Sequence, residues 1–223
     1  MTATNQATVR KPNKRGTKTR DRMIDAALES LAVDGYRGST ARAIATRGEL
    51  SQASIFYHYN SVEELLLDAI RQSSARRLDR YRKRIDPLNT IGEVLSAWQE
   101  LHLEDIEVGH AAALNALVTA GAHDSLVGVA LLEVLSGWRD YVTSTVERVT
   151  AGLALGKLVD PELASTTIVA LFMGVELLSR LEDTDYATPL FGQADRLATL
   201  LQLGSAMPPT KTSGRTGESG ETH

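Results

Sequence analysis

The chain has 223 residues and a mass of 24.1 kDa, with 43% hydrophobic and 23% charged residues, which suits one or two globular domains and excludes a disordered or fibrous class. It contains no cysteine, so disulfides, thiolate metal sites and cysteine nucleophiles are excluded, as fits a reducing cytoplasm. The formal net charge of −4 argues against a nucleic-acid partner only until it is divided by position: residues 1–60 carry +5, residues 61–84 carry +3 and residues 85–223 carry −12. Such asymmetry is the electrostatic footprint of an anionic partner for the first third, or else of a solvated basic tail.

In chain order, residues 1–16 are polar and basic, without periodicity, and read as a disordered arm. They hold no apolar stretch of the kind a secretory signal needs. A first helix carries Met23, Ile24, Ala27, Leu28 and Leu31 on one face and ends at Gly35. Thr40 caps a short helix to about Arg47, the segment Gly48-Glu49-Leu50 makes a turn, and Ser51 opens a second short helix to about Tyr59. Ser61 and Glu64 form a capping box in front of a long fourth helix that runs to about Arg84. Its cations Arg76, Arg77, Arg80, Arg82, Lys83 and Arg84 read as a solvated face or as partners for acidic residues.

The acidic remainder is also helical. Thr90 and Glu93 make a second capping box ahead of Ile91, Val94, Leu95, Trp98 and Leu101. Helices follow from about His110 to Ala120 and from about Asp124 to Leu153, the latter striped by Leu131, Leu135, Trp138, Val142, Val146 and Val149. Asp160-Pro161 caps the next helix, apolar nearly all round from Ile168 to Leu178, and a last helix carries Leu190, Ala194, Leu197 and Leu201. Residues 205–223 read as a second disordered tail. The longest apolar run, Ile168 to Val175, is far short of the roughly 20 residues a spanning helix needs. The expectation is therefore a soluble cytoplasmic protein, nucleoid-associated, with no membrane partner.

Two short helices joined by a tight turn behind a supporting helix are a helix-turn-helix, whose second short helix enters the major groove. Ile55 is spaced to meet Ile44 and Leu50, which leaves Gln52, Ser54, Tyr57 and His58 facing outward. Glutamine bonds adenine at two atoms, serine bonds several bases, and aromatic surface meets the thymine methyl. Thr40 and Arg42 open the preceding helix, where backbone N–H groups and a cation suit phosphate.

Gly35-Tyr36, Thr40 with Ile44-Ala45, the segment Ser51-Gln52-Ala53-Ser54-Ile55-Phe56-Tyr57-His58-Tyr59, Ser61, and Glu63 with Leu65 closely resemble the N-terminal domain of the TetR/AcrR family of bacterial regulators. The resemblance is sharp over residues 20–66 and architectural beyond them. It implies an all-α protein: a three-helix helix-turn-helix DNA-binding domain over residues 17–62, then a larger helical ligand-binding and dimerisation domain over residues 63–204. It implies DNA contacts from Thr40, Arg42, Ser51, Gln52, Ala53, Ser54, Phe56, Tyr57 and His58. It also implies a homodimer built on the last two helices, through Leu163, Ala170, Gly174, Leu178, Leu190, Ala194, Leu197 and Leu201. The expected activity is that of a ligand-responsive regulator, a repressor on an inverted-repeat double-stranded DNA operator, released by a small apolar or amphipathic molecule.

Three positions depart from the family pattern. The usual Ala-Gly-Val turn is Gly48-Glu49-Leu50, so either Gly48 takes the left-handed conformation one position early or Glu49 takes it at a cost of about 1 kcal/mol. Val62 stands where a phosphate-binding lysine is common, and Phe56 lacks a hydroxyl. Arg42 or the basic arm, with Arg10, Lys11, Lys14, Arg15, Lys18 and Arg20, then has more phosphate contact to supply.

The acidic part shows no catalytic motif, cofactor loop or metal-ligand spacing, so no enzyme activity, cofactor or metal is expected. Trp98, His102, Asn115, Trp138, Tyr141, Phe172 and Met173 are its candidate pocket residues, each also readable as core. Two rival readings stand beside the regulator: a helical interaction protein with a basic partner-binding module, and a helical enzyme using His102 and Asp105.

Overall fold

The computed structural model describes residues 14–107, 109–121, 124–153, 156 and 158–206. Arg10, Lys11, His123 and residues 207–223 lie outside them, as do the side chains of Lys14, Arg15 and Leu201. The described residues form nine helices and no strand: α1 (Lys14–Gly38), α2 (Ala41–Arg47), α3 (Gln52–His58), α4 (Val62–Ile85), α5 (Ile91–Glu107), α6 (His110–Gly121), α7 (Ser125–Thr150), α8 (Pro161–Leu181) and α9 (Ala187–Ala206).

The caps explain most boundaries. The side-chain oxygens of Thr40, Ser51 and Ser61 accept from the backbone N–H three residues on, and Asp124 and Asp160 cap α7 and α8 in the same way. Thr90 and Glu93 complete a reciprocal box: Glu93 N–H donates to Thr90 Oγ1 and Thr90 N–H donates to the Glu93 carboxylate. At Ser61 the box is displaced by one residue, because the Glu64 carboxylate accepts from Asn60 N–H at 2.8 Å. Gly35 interrupts α1 with φ 70°, a left-handed turn that re-aims the chain into a last turn at residues 36–38. Three expected limits shift. The supposed arm is already helical from Lys14, α9 continues to Ala206, and α7 stops at Thr150 rather than Leu153.

Two cores result. In the first, Met23, Ile24 and Leu31 of α1 pack with Ile44, Ile55, Leu65 and Leu66, and with Ala113 and Leu117 of α6 and Val127 and Leu131 of α7. The helix-turn-helix therefore shares its core with the helical body, chiefly along the α1–α6 contact. The second core gathers Tyr81, Ile85, Val94, Leu101 and Tyr141, with Trp98 and Trp138 against it.

Helix α8 presents the opposite of a buried face. Its buried residues are Ser165 and Glu176, whereas Leu163, Leu171, Leu177, Leu178 and Leu181 are exposed. Taken as a whole helix it is long and apolar enough to cross a bilayer, with a mean hydropathy of 1.4 over its most apolar stretch, although its unbroken apolar run is short. It packs along α7, and the Thr143 hydroxyl donates to Ser165 Oγ at 2.8 Å.

Candidate nucleic-acid interface and its helical body

Helix α3 is seven residues long and buries one of its own side chains. Ile55 is fully buried against Ile44 and Leu50, and everything else on α3 faces outward or sits at the rim. Gln52, Ala53, Phe56, Tyr57 and His58 are exposed, Ser54 is half-buried, and Tyr57 reaches 84% exposure. An aromatic ring so exposed has no role in the core. The Tyr57 and His58 rings stand edge to face, 5.1 Å apart, a joined apolar and hydrogen-bonding surface at the helix end. Thr40 and Arg42 are likewise exposed, at the start of α2.

The turn resolves the choice left at Gly48-Glu49. Glu49 takes the left-handed conformation, φ 48°, and Gly48 keeps φ −79°. The glycine at 48 is needed for space instead, since a Cβ there would meet Leu50 Cδ1 at 2.9 Å and Ala26 Cβ at 3.1 Å. The Arg22 guanidinium holds the strained turn by donating to the carbonyls of Gly48 at 2.6 Å and Glu49 at 3.3 Å.

A second device escaped the sequence reading. Tyr59, just past α3, is buried, and its hydroxyl donates to Asp68 of α4 at 2.6 Å while accepting from Arg20 of α1 at 3.2 Å. Arg20 also pairs with Asp68 at 2.8 Å, and Gln72 donates to the same carboxylate. Burial and the adjacent Asp68 push the Tyr59 hydroxyl up to about 12. Burial works against the Asp68 carboxylate, yet the bonds from Tyr59, Gln72 and Arg20 hold it below the usual range. The triad pins the far end of α3 to two other helices. Its only sequence signal was an aromatic residue nine positions before an aspartate on a helix face, which by itself says nothing.

Most cations of α4 are ion-paired, and Arg82 lies over the Tyr141 ring. Arg76 meets Asp21 and Asp25 of α1, Lys83 meets Asp79, and Arg84 meets Glu100 and Glu104 of α5. Asp105, 1% exposed, receives Arg77, Arg80 and the Tyr81 hydroxyl together. The positive charge of residues 61–84 is thus largely matched by ion pairs within the protein, most of them at its surface, as it is for Arg20, Arg22 and Arg47 of α1 and α2.

His102 and Asp105 do not form the pair a helical enzyme would need. His102 Nε2 lies 3.0 Å from Glu176 Oε1 of α8, outside hydrogen-bond geometry, and its ring packs on Phe172 and Phe191. Asp105 is occupied by the arginines. Among the described residues no cluster of three or more His, Cys, Asp or Glu side chains is placed to hold a metal.

The body contains a cavity of about 210 Å³ between α5, α7, α8 and α9, and a smaller one of about 50 Å³ beside Trp138 and Met173. Trp98, Val142 and Phe172 border both. Of the expected pocket residues, Trp98, Trp138, Phe172 and Met173 line this space, whereas Tyr141 packs in the second core and His102 sits behind the aromatic wall. Asn115 lines neither cavity; its side-chain nitrogen is buried without a hydrogen-bond partner. Of the expected interface residues, Leu190 and Ala194 are half-buried and line the cavity where α9 packs on α5. Leu163, Ala170, Gly174, Leu178 and Leu197 are exposed.

Comparison with known proteins places these features. Residues 23–69 match the family model of bacterial regulatory proteins, tetR family. An HTH-type transcriptional regulator in the dhlA 5′ region of Xanthobacter autotrophicus is 37% identical over 93 residues, 41% of each chain. The stretches matched in the first such relatives cover 31–41% of their lengths. The fold extends over far more of the chain. A transcriptional regulator from Pseudomonas aeruginosa PAO1 superposes with a TM-score of 0.66 at 21% identity, covering 90% of this chain and 95% of that one. FadR from Bacillus subtilis, solved with stearoyl-CoA, superposes with a TM-score of 0.62 at 20% identity, covering 81% and 96%.

Proposed function

We propose that the chain, whose residues 23–69 match the family model of bacterial regulatory proteins, tetR family, is a cytoplasmic, ligand-responsive transcriptional repressor that binds an inverted-repeat operator as a homodimer. The observation that carries this reading is α3, a helix whose one buried residue is Ile55 and which offers Gln52, Ala53, Phe56, Tyr57 and His58 to solvent. Ser51, Thr40 and the α2 cation Arg42 supply phosphate contacts around it. The exposed apolar face of α8, with Ala170 and Gly174 in it and Leu197 of α9 61% exposed, supports pairing with a second copy. A two-fold pair presents two reading helices and so calls for an inverted repeat.

Ligand control follows from the shared core. A molecule that changes the packing of α5, α7 and α8 acts on α1 through α6, and it releases DNA only if it prefers the non-binding arrangement. Stearoyl-CoA in the FadR neighbour supports an effector with an apolar part.

The test is a titration of the full-length protein on DNA from upstream of its own gene. Gln52→Ala should relax base preference at one position of each half-site, at a cost of about 1–3 kcal/mol there. A uniform loss on every sequence would show that Gln52 reads no base.

A further inference from the structure

The cavity in the body specifies the chemistry of what it takes. Among its described lining residues, Val94, Trp98, Val146, Phe172 and Phe191 are apolar, Thr145 brings the only hydroxyl, and none is charged. Arg77, at the edge of the smaller compartment, is bound to Asp105 at 2.6 Å. A carboxylate or phosphate placed here would meet no cation among these lining residues, and an ammonium would meet no carboxylate. Either would be stripped of water without a partner. Apolar cavities of about 150 Å³ stay dry and accept benzene; this one, at about 210 Å³, is somewhat larger.

We propose that the cavity binds an uncharged, predominantly hydrocarbon molecule, about the size of one alkyl-substituted aromatic ring. The proposal rests on the reading of the helical body as the effector domain, and it narrows that reading by excluding effectors whose charged group must enter the cavity. The chain carries its own reporter, since its two tryptophans, Trp98 and Trp138, both border this space.

The experiment uses the full chain and three probes of matched length: butylbenzene, 3-phenylpropanoate and 3-phenylpropylamine. Tryptophan fluorescence and the thermal midpoint are followed during titration. Butylbenzene should give a saturable fluorescence change and a raised midpoint, with a Kd at least about ten-fold lower than either charged probe. Ala194→Phe, which fills the cavity from α9, should abolish the response, and Val146→Leu should weaken it if the phenylalanine variant does not fold. Equal or tighter binding of the acid or the amine overturns the proposal, as does a butylbenzene titration that never saturates or that survives both variants. Operator binding is measured separately. Saturable butylbenzene binding with no change in operator affinity supports the cavity assignment and overturns the effector reading beneath it.

Discussion

Removing one oxygen from Tyr59 tests whether the reading helix is held by a hydrogen-bonded triad. The hydroxyl of this buried residue donates to the Asp68 carboxylate at 2.6 Å and accepts from Arg20 at 3.2 Å. Tyr59→Phe keeps the ring packing and deletes both bonds. A hydrogen bond to a charged group is worth about 1.5–3 kcal/mol net. Asp68 keeps Arg20 and Gln72, and its side chain is 23% exposed to water, so the lower end applies, about 1.5 kcal/mol. With a urea slope of about 2–3 kcal/mol/M, the denaturation midpoint should fall by about 0.5–0.8 M. The pH dependence gives a second reading. The Asp68 carboxyl titrates below its ordinary value in the folded protein, so its contribution is complete above the unfolded value of 3.8 and is lost as pH falls through the depressed one. The gap between wild type and Tyr59→Phe should therefore close on acidification. In a double-mutant cycle with Asp68→Asn, most of the loss should appear as coupling. A Tyr59→Phe midpoint within about 0.1 M of wild type, or additive losses in the cycle, would refute the triad as the tether of α3.

Three further outcomes follow from the same geometry. Asp105→Ala strands Arg77 and Arg80 beside a buried site and should cost about 3–5 kcal/mol by chemical denaturation; a neutral effect would remove the charge cluster from the list of structural supports. In the turn, Glu49→Gly relieves a left-handed residue and should stabilise by up to about 1 kcal/mol, while Gly48→Ala meets Leu50 and Ala26 and should destabilise by about 1–3 kcal/mol; the reverse order in thermal melts would contradict the φ assignment. Gly174 has open space where a side chain would begin, so Gly174→Leu should fold normally yet shift the protein to monomer in light scattering and weaken operator binding. A folded variant that stays dimeric would move the interface off this face of α8.

What the sequence by itself determined is local. Thr40, Ser51, Thr90, Asp124 and Asp160 were legible as helix starts because a cap acts within three residues, and Ile55 was legible as the anchor of α3 because helical spacing places it opposite Gln52 and Tyr57. The reading face of the helix-turn-helix rested on the same short-range rules. Tertiary structure decided whatever depends on partners far along the chain. Tyr59 meets Asp68 and Arg20 only after α1, α3 and α4 converge. Asp105 becomes the sink for two arginines because α5 lies along α4. Leu190 and Ala194 share their helical spacing with Leu197, but where α9 packs against α5 the first two line the cavity and Leu197 is left exposed. The net charge of −4 follows the same division: its asymmetry could be read by position, but only the fold showed that most α4 cations pair with carboxylates of α1, α4 and α5.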